Sequence, residues 1–262
     1  MKETDRITAV VTELQRAGIH AVEHADGLTI HPGQPKPCDI HTYDDHRMAM
    51  CFAMLGLRIP GMRLRNPRWA AYHVRDLPRI PVPKPRPEKF EADRRTASRV
   101  GSESYSGSGY DRGHMAPNYA IATRHGEAAQ RETFLMSNIT PQRHALNAGL
   151  WRELETRIAT SWPARYGEVW VIVGPVFGEK PRTLRGGVAV PEAFFMIIID
   201  EQDGRLRTLA FLVPQETPEG ADPARHLTTI DEIERRTGLD FLPELDAEAQ
   251  RAIESQRAAR VW

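Results

Sequence analysis

Tyr110-Asp111-Arg112-Gly113-His114-Met115-Ala116-Pro117 is the stretch on which the reading of this chain turns. It is followed by Ser137-Asn138-Ile139-Thr140-Pro141-Gln142, and then by Asn147, Trp151 and Glu155. Arg143 to Thr160 has helical spacing, with Leu146, Leu150, Leu154 and Ile158 on one stripe. Asn147 falls near the start of that helix, Trp151 one turn on and Glu155 a further turn, so the three share a face. The expected unit is a β-hairpin around residues 105–138 joined to a helix that begins near Gln142 to Asn147.

These residue types suit one chemistry. A histidine is the side chain best matched to deprotonating water near neutral pH. An amide oxygen such as that of Asn147 suffices for Mg²⁺, which keeps most of its waters and needs one or two protein oxygens. A carboxylate one or two turns away can orient a metal-bound water. A guanidinium can clamp a phosphate through two parallel bonds. Hydrolysis of a phosphodiester needs this set, because its transition state gathers negative charge that a hard cation offsets. Each residue also has a plainer reading. His114 alone is a core or surface histidine, Asn147 a helix N-cap, Glu155 a solvated carboxylate, and Arg86 a surface arginine. Trp151 reads as a packing residue, and His125, His144 and His226 as bystanders. The agreement of several spaced elements favours the chemical reading of His114, Asn147 and Glu155.

Outward from the motif, residues 96–110 are rich in Ser, Gly and Tyr and read as a loop. Residues 78–89 carry Pro78, Pro81, Pro83, Pro85 and Pro87, which makes an extended connector. To the right, Glu168 to Val173 reads as a strand ending at Gly174-Pro175. Ala193 to Asp200 and Arg207 to Val213 form a hairpin about Asp203-Gly204. A short helix starts at Thr229, and the tail from Ala247 is helical. Residues 1–65 differ in texture. Thr4 to Ala17 is a helix closed by Gly18, Ile19 to Glu23 and Leu28 to His31 are short strands, and Asp45 to Leu57 is a second amphipathic helix. Residues 62–65 start another strand.

The chain has 262 residues, enough for one large domain or two unequal ones, and its formal net charge is zero. Bulk charge therefore does not announce a nucleic-acid binder, although a local basic groove would serve. With only two cysteines, Cys38 and Cys51, the chain has no disulfide framework and no CxxC metal pair. Its apolar stretches, such as Phe194 to Ile199, are too short to span a bilayer, and no apolar signal core opens it. As written, it reads as cytoplasmic, with no membrane partner.

From Asn66-Pro67-Arg68-Trp69-Ala70-Ala71-Tyr72 almost to its end, the chain resembles the DNA/RNA non-specific endonucleases with a DRGH motif, of the ββα-metal superfamily. The resemblance includes Ser106-Gly107-Ser108-Gly109-Tyr110, Val173-Gly174-Pro175-Val176-Phe177, Pro214-Gln215, and Ile233-Glu234 with Thr237-Gly238-Leu239-Asp240-Phe241. It implies an α+β fold, with a central, mostly antiparallel sheet flanked by helices. It implies His114 as general base, Asn147 as direct ligand of Mg²⁺ or its substitute Mn²⁺, and Glu155 on a metal-coordinated water. Asp111 and Arg112 would shape the turn around the site, and Arg112 would also meet substrate. Arg86, four positions before Phe90 with Asp93 following, matches the phosphate-binding arginine, and Asn138 is a supporting group behind the residues that act directly, counted also among those that meet substrate. The substrate implied is DNA, RNA or both, cut to leave 5′-phosphate and 3′-hydroxyl ends. Relatives are often homodimers, and commonly exported or mitochondrial. One position departs from the pattern: Met196 stands where family members often place Lys, which is expected to weaken phosphate contacts or alter a surface.

Residues 1–65 resemble something else. Lys2-Glu3-Thr4-Asp5-Arg6, the Asp26-Gly27-Leu28 turn and Tyr43-Asp44-Asp45-His46-Arg47-Met48-Ala49-Met50 look like the C-terminal part of EPSP synthase, the shikimate-pathway enolpyruvyl transferase. There, Lys2, Glu3, Arg6, His46 and Arg47 match residues that handle phosphoenolpyruvate. A quarter of a two-domain enzyme cannot build its interdomain site, so these residues read as relics. The expectation is a fusion with its junction near Asn66-Pro67: an EPSP synthase-like α/β fragment over 1–65 and a nuclease over 66–262. Residues 62–66 are expected to substitute for the first edge strand of the nuclease sheet. The competing expectation is a catalytically inactive nucleic-acid-binding or interaction protein, motivated by the foreign N-terminus and Met196. It predicts binding without turnover.

Overall fold

The structure, a computed structural model, describes residues 6–41, 52, 63–65, 69–94, 96, 100–202, 204–243 and 245–262. The chain divides into two compact units, Met1–Arg68 and Trp69–Trp262.

In the first unit, α1 (Arg6–Arg16) is followed by β1 (Ala21–His24) and β2 (Gly27–Ile30), an antiparallel pair closed by Ala25-Asp26. β3 (Asp39–His41) pairs in parallel with β4 (Arg63–Arg65). The apolar stripe of α1 puts Ala9, Val11 and Leu14 against Ile19, Ala21, Ile40 and Phe52. The buried Glu13 accepts a hydrogen bond from the His41 backbone N–H at 3.1 Å and an ion pair from Arg16 at 3.2 Å. Cys38 is half-buried. Apart from Phe52, the expected helix over 45–57 lies outside the described residues, as do Lys2, Glu3, His46 and Arg47.

The second unit is built on a five-stranded, wholly antiparallel sheet. It contains β5 (Ala70–Arg75), β8 (Glu168–Val176), β9 (Ala193–Gln202), β10 (Arg205–Pro214) and β11 (Leu227–Thr228), in the order β11-β10-β9-β8-β5. Between the first two of these, β6 (Asp111–His114) and β7 (Ile139–Gln142) form a separate antiparallel pair. α2 (Asn118–Glu132) lies between them in sequence. α3 spans residues 144–159, α4 covers Ser161–Tyr166, and α5 (Ile230–Thr237) and α6 (Ala247–Glu254) close the chain.

Strand alternation sorts the core. Phe194, Met196 and Ile198 of β9 join Val169, Val171 and Val173 of β8 and Leu209, Phe211 and Val213 of β10 on one face. Leu146, Leu150, Trp151, Leu154, Ile158 and Trp162 of α3 and α4 cover that face. On the other face, Phe195 meets Phe241 edge-on at 5.5 Å. A strand buried on both faces reads as a continuous apolar run, which is the pattern of residues 193–199. The α+β expectation of an antiparallel sheet between helices holds.

Four readings change. Met196 is fully buried between Val173 and Phe211, so it is a core residue and neither a surface change nor a lost phosphate contact. The edge strand is β5, at residues 70–75, while residues 63–65 pair with β3 and supply no edge to the nuclease sheet. The second strand of the motif hairpin is β7, beyond residue 138. The interval is filled by α2, which went unread because Gly126 breaks its pattern with a φ of 85° and its apolar burial is confined to Ala120, Ile121 and Ala122. Among the described residues, no helix is long and apolar enough to cross a membrane.

Candidate active site

Alternation along β6 sends Arg112 and His114 to one side of the strand and Asp111 to the other. The glycine between them is required by close approach. A Cβ at Gly113 would sit 2.1 Å from the side-chain oxygen of Gln142, and Gln142 is wholly buried with nowhere to retreat. Gln215 locks the same corner, donating from Nε2 to the carbonyls of Pro141 and Pro191 and accepting from the Arg143 N–H.

His114 lies between the rings of Phe90 and Phe134, at centroid separations of 5.6 and 5.1 Å. Its Nε2 is buried, and no protein hydrogen bond reaches it. Burial, and secondarily the Arg86 charge, pull its pKa down to about 4. The ring is thus neutral at physiological pH, with a lone pair free to accept a proton. Its backbone is fixed from two directions. Trp151 donates from its indole N–H to the His114 carbonyl at 3.3 Å. Asn138 clamps the next residue: its Oδ1 accepts from Ala116 N, and its Nδ2 donates to the carbonyls of Ala116 and Thr133. The amide of Asn138 is therefore spent on backbone, and its part is to brace the turn after His114 rather than to contact substrate.

Arg86 stands on the Pro-rich strip, which is pinned to the end of α2. Gln130 donates to the Lys84 carbonyl, Glu91 N–H to Phe134, and Met136 N–H to Glu91. This anchoring places the exposed guanidinium 5.1 Å over the Phe134 ring, where its charge acts on both His114 and Glu155. Arg112 is committed otherwise. Its Nη2 donates to the Ser102 carbonyl at 2.7 Å, and its guanidinium lies near the rings of Tyr105 and Phe90. It wedges the loop of residues 100–110 against β6, and its Nε is buried without a partner.

On the other side of β6, Asp111 Oδ2 accepts from Asn147 Nδ2 at 3.0 Å and meets His144 Nδ1 at 2.8 Å. A carboxylate that takes the amide nitrogen leaves Asn147 Oδ1 as the atom offered to a cation. α3 is not an unbroken α-helix here: residues Asn147–Trp151 form a π-type turn kinked at Gly149. In a regular helix, residues eight apart lie about 80° out of phase. One inserted residue widens the turn and takes up most of that offset, bringing Asn147 and Glu155 onto a common line. Glu155 keeps some exposed surface, but protein surrounds its carboxylate. Burial raises its pKa to about 8, against opposing contributions from its hydrogen bond with Trp151 and the Arg86 charge. The fully buried Tyr72 of β5 feels the Glu155 charge, and its hydroxyl has no partner.

His114, Arg86 and Glu155 thus share one electrostatic neighbourhood, and Asp111 and Asn147 are joined directly. Trp151, read as packing, also links His114 to Glu155 through its indole. Tyr72, His144 and Phe134 were missed. His144 carries no signal beyond standing one turn before Asn147, and an aromatic cage built from residues 90 and 134 leaves no local spacing to find.

The sequence model of the DNA/RNA non-specific endonuclease family matches residues 38–248, and that of EPSP synthase (3-phosphoshikimate 1-carboxyvinyltransferase) matches residues 1–70. The Nuclease of Serratia marcescens is 32% identical over 199 residues, covering 72% of this chain and 73% of that protein. The mitochondrial Nuclease EXOG of Xenopus laevis is 31% identical over 202 residues, covering 70% of this chain and 55% of that protein. The chain spans about half the length of the mitochondrial nucleases it matches. At the N-terminus, the 3-phosphoshikimate 1-carboxyvinyltransferase of Nostoc punctiforme is 56% identical over 66 residues, 25% of this chain and 16% of that enzyme. A chain in a crystal structure of the EndoG/EndoGI complex superposes with a TM-score of 0.60 at 24% identity, covering 70% of this chain and 81% of that one, which shows the same ββα-metal nuclease fold. With most of its length matched by the family's sequence model, this chain belongs to the DNA/RNA non-specific endonuclease family.

Proposed function

We propose that the chain is a metal-dependent, sequence-non-specific endonuclease that hydrolyses phosphodiester bonds of DNA, RNA or both. The observation that carries this reading is His114, whose buried Nε2 meets no protein hydrogen-bond partner, set near an arginine whose charge also reaches the buried carboxylate of Glu155. In this reading, His114 takes a proton from the water that attacks phosphorus. Arg86 binds a phosphate oxygen and offsets charge that grows in the transition state. Trp151 and Asn138 keep the His114 backbone in place while this happens.

The residues present fit a hard divalent cation. Asn147 offers an amide oxygen whose orientation Asp111 fixes. Glu155 is a buried carboxylate that ionises with difficulty in the absence of a positive partner. Such a pair of oxygens suits Mg²⁺ or Mn²⁺, with water filling the remaining positions. When bound there, the ion would stabilise negative charge on the phosphoryl oxygens. Contacts mainly to backbone phosphate imply weak sequence preference.

The inactive-binder reading loses one of its two motives, because Met196 lies in the core. The test is cleavage of supercoiled plasmid and of total RNA by the purified protein. Nicking or degradation with Mg²⁺ or Mn²⁺ that stops in EDTA is the expected result. Binding without turnover in every metal, or cleavage indifferent to EDTA, contradicts the proposal.

A further inference from the structure

The segment after β8 carries charge that the reaction at His114 does not use. Residues 179–187 read Glu-Lys-Pro-Arg-Thr-Leu-Arg-Gly-Gly. Lys180, Arg182 and Arg185 are exposed, and none is in an ion pair among the described residues, so this short stretch holds three unneutralised cations against one acid, Glu179. It is not a loose loop. Thr183 bridges Ala189, Leu184 N–H donates to the Val188 carbonyl and Val190 N–H to the Arg182 carbonyl, each at 2.8 Å. Leu184 and Val190 are buried with Tyr105, Met136 and Ile139. The result is a fixed hairpin with cations on its outside.

Its place is equally definite. The Arg182 guanidinium lies 5.8 Å from the ring of Tyr110, and Arg143 lies 4.6 Å from the same ring. Tyr110 immediately precedes β6. At the tip of the hairpin, a Cβ on Gly186 would come within 2.9 Å of Ser104 Oγ, and Gly186 also has a φ of +79°, so only glycine fits there. Ser104 belongs to the short turn whose Ser102 carbonyl holds Arg112. Arg182 on the hairpin therefore stands beside Tyr110, next to the Asp111 end of the strand that carries the proposed base, whereas the Arg86 charge acts on His114 at its other end. An otherwise neutral chain thus places cations at both ends of the strand that carries its proposed base, which is the electrostatic footprint of a polyanion laid along that strand.

The spacing sets a length. Tyr110 and His114 are four residues apart on an extended backbone, about 13 Å. A strand of duplex DNA advances about 3.4 Å per nucleotide along the helix axis while it winds around it, so that distance spans at most about four nucleotides. We propose that the Lys180–Arg185 hairpin, beside the Tyr110 ring that Arg143 also faces while paired with Glu216, is a second anchoring site for the polynucleotide backbone, gripping phosphates within about four nucleotides of the bond that is cut. This rests on the nuclease reading and names the part of the substrate that its site does not reach.

The test uses the full chain carrying Lys180→Ala, Arg182→Ala and Arg185→Ala together, with Arg182→Lys as the charge-keeping control and thermal melts to check the fold. Oligonucleotides of graded length with a fixed cleavage position are compared by kcat/KM. The ratio of triple variant to wild type is expected to fall as the substrate grows over the first nucleotides beyond the cut and to level off by about four, with a loss of roughly tenfold or more on long duplexes. A second arm measures binding of labelled oligonucleotides in EDTA by fluorescence anisotropy against salt, and does not require the protein to cut anything. There the slope of log affinity against log salt is expected to become shallower by about 0.9 for each phosphate contact removed, and Arg182→Lys to keep it. A cleavage ratio that is the same at every length, or an unchanged salt slope in a folded variant, overturns the proposal. Absence of cleavage by the wild type, with the altered salt slope still seen, would sink the nuclease reading and leave the anchoring site standing.

Discussion

Residues 1–70 match an enolpyruvyl transferase at 56% identity over 66 residues, whereas the nuclease region matches the Serratia marcescens enzyme at only 32% over 199. The coverage runs the other way, with 16% of the first relative present here and 73% of the second. A segment matched to a sixth of a relative carries only what lies in that sixth, however high its identity. A site carried on one strand and the helix after it travels whole. In this chain Asn147 donates to Asp111 and Trp151 to the His114 carbonyl, and Glu155 follows one turn after Trp151 on the same helix, so the five residues belong to one strand–helix unit.

The largest expected contrast between the units comes from matched substitutions. Asn147→Ala should lose roughly two to four orders of magnitude in metal-dependent cleavage, the scale for groups that act at the reacting centre. Arg47→Ala, in the stretch of the first unit that resembles the enolpyruvyl transferases, should leave the rate within about twofold on the same plasmid assay. A large loss from Arg47→Ala would show that the N-terminal unit contributes to the nuclease, and the contrast would collapse.

Next in size is Asp111→Ala, which frees the Asn147 amide to rotate. Loss of such a supporting partner typically costs about 10–100-fold in metal affinity. Mn²⁺ titration by calorimetry should show that loss. The same titration on the unsubstituted protein should tighten as pH rises toward 8, since Glu155 must give up its proton to attract the ion. Affinity flat with pH would contradict the burial of that carboxylate.

Arg86→Gln tests the electrostatic neighbourhood. The folded pKa of His114, about 4, lies below its unfolded value of 6.5. The ring is therefore a competent base above about pH 4, and the stability of its neutral form is lost as pH falls from 6.5 through 4. Removing the Arg86 charge should raise that pKa by a fraction of the whole shift, because burial is the larger cause. Histidine NMR titration reads it, and the acid limb of the rate profile should move up with it. A downward shift would put Arg86 elsewhere.

The smallest effect is expected at Tyr72. An unpartnered buried hydroxyl costs about 1–3 kcal/mol. Tyr72→Phe should therefore raise the melting temperature in EDTA by a few degrees, roughly 2–4 °C per kcal/mol in a unit of this size. A fall would mean that the hydroxyl has a partner in solution.

Most of the fold was legible because its burial leaves a periodic trace. The β8, β9 and β10 runs and the Leu146–Leu150–Leu154–Ile158 stripe are apolar patterns that only a covered sheet and its covering helix produce. α2 was illegible for the converse reason: a glycine at positive φ interrupts a helix with few buried apolar residues. At the candidate site, His114, Asn147 and Glu155 stood out because the proposed chemistry restricts the residue types that can perform it. Asn138 and Arg112 were less so, since an amide or a guanidinium looks the same in sequence whether it holds substrate or backbone. Phe90, His114 and Phe134 come from three separate segments, and only the folded chain brings the two walls to the ring.

His114→Ala against the unsubstituted protein is the most direct test of the central claim, with plasmid cleavage in Mg²⁺ and oligonucleotide binding measured in parallel. Cleavage should fall by about a hundredfold to ten-thousandfold, the share a positioned base contributes, while binding and melting temperature hold. A folded His114→Ala protein that still cuts at near the original rate would remove His114 as the base, and with it the account of this site.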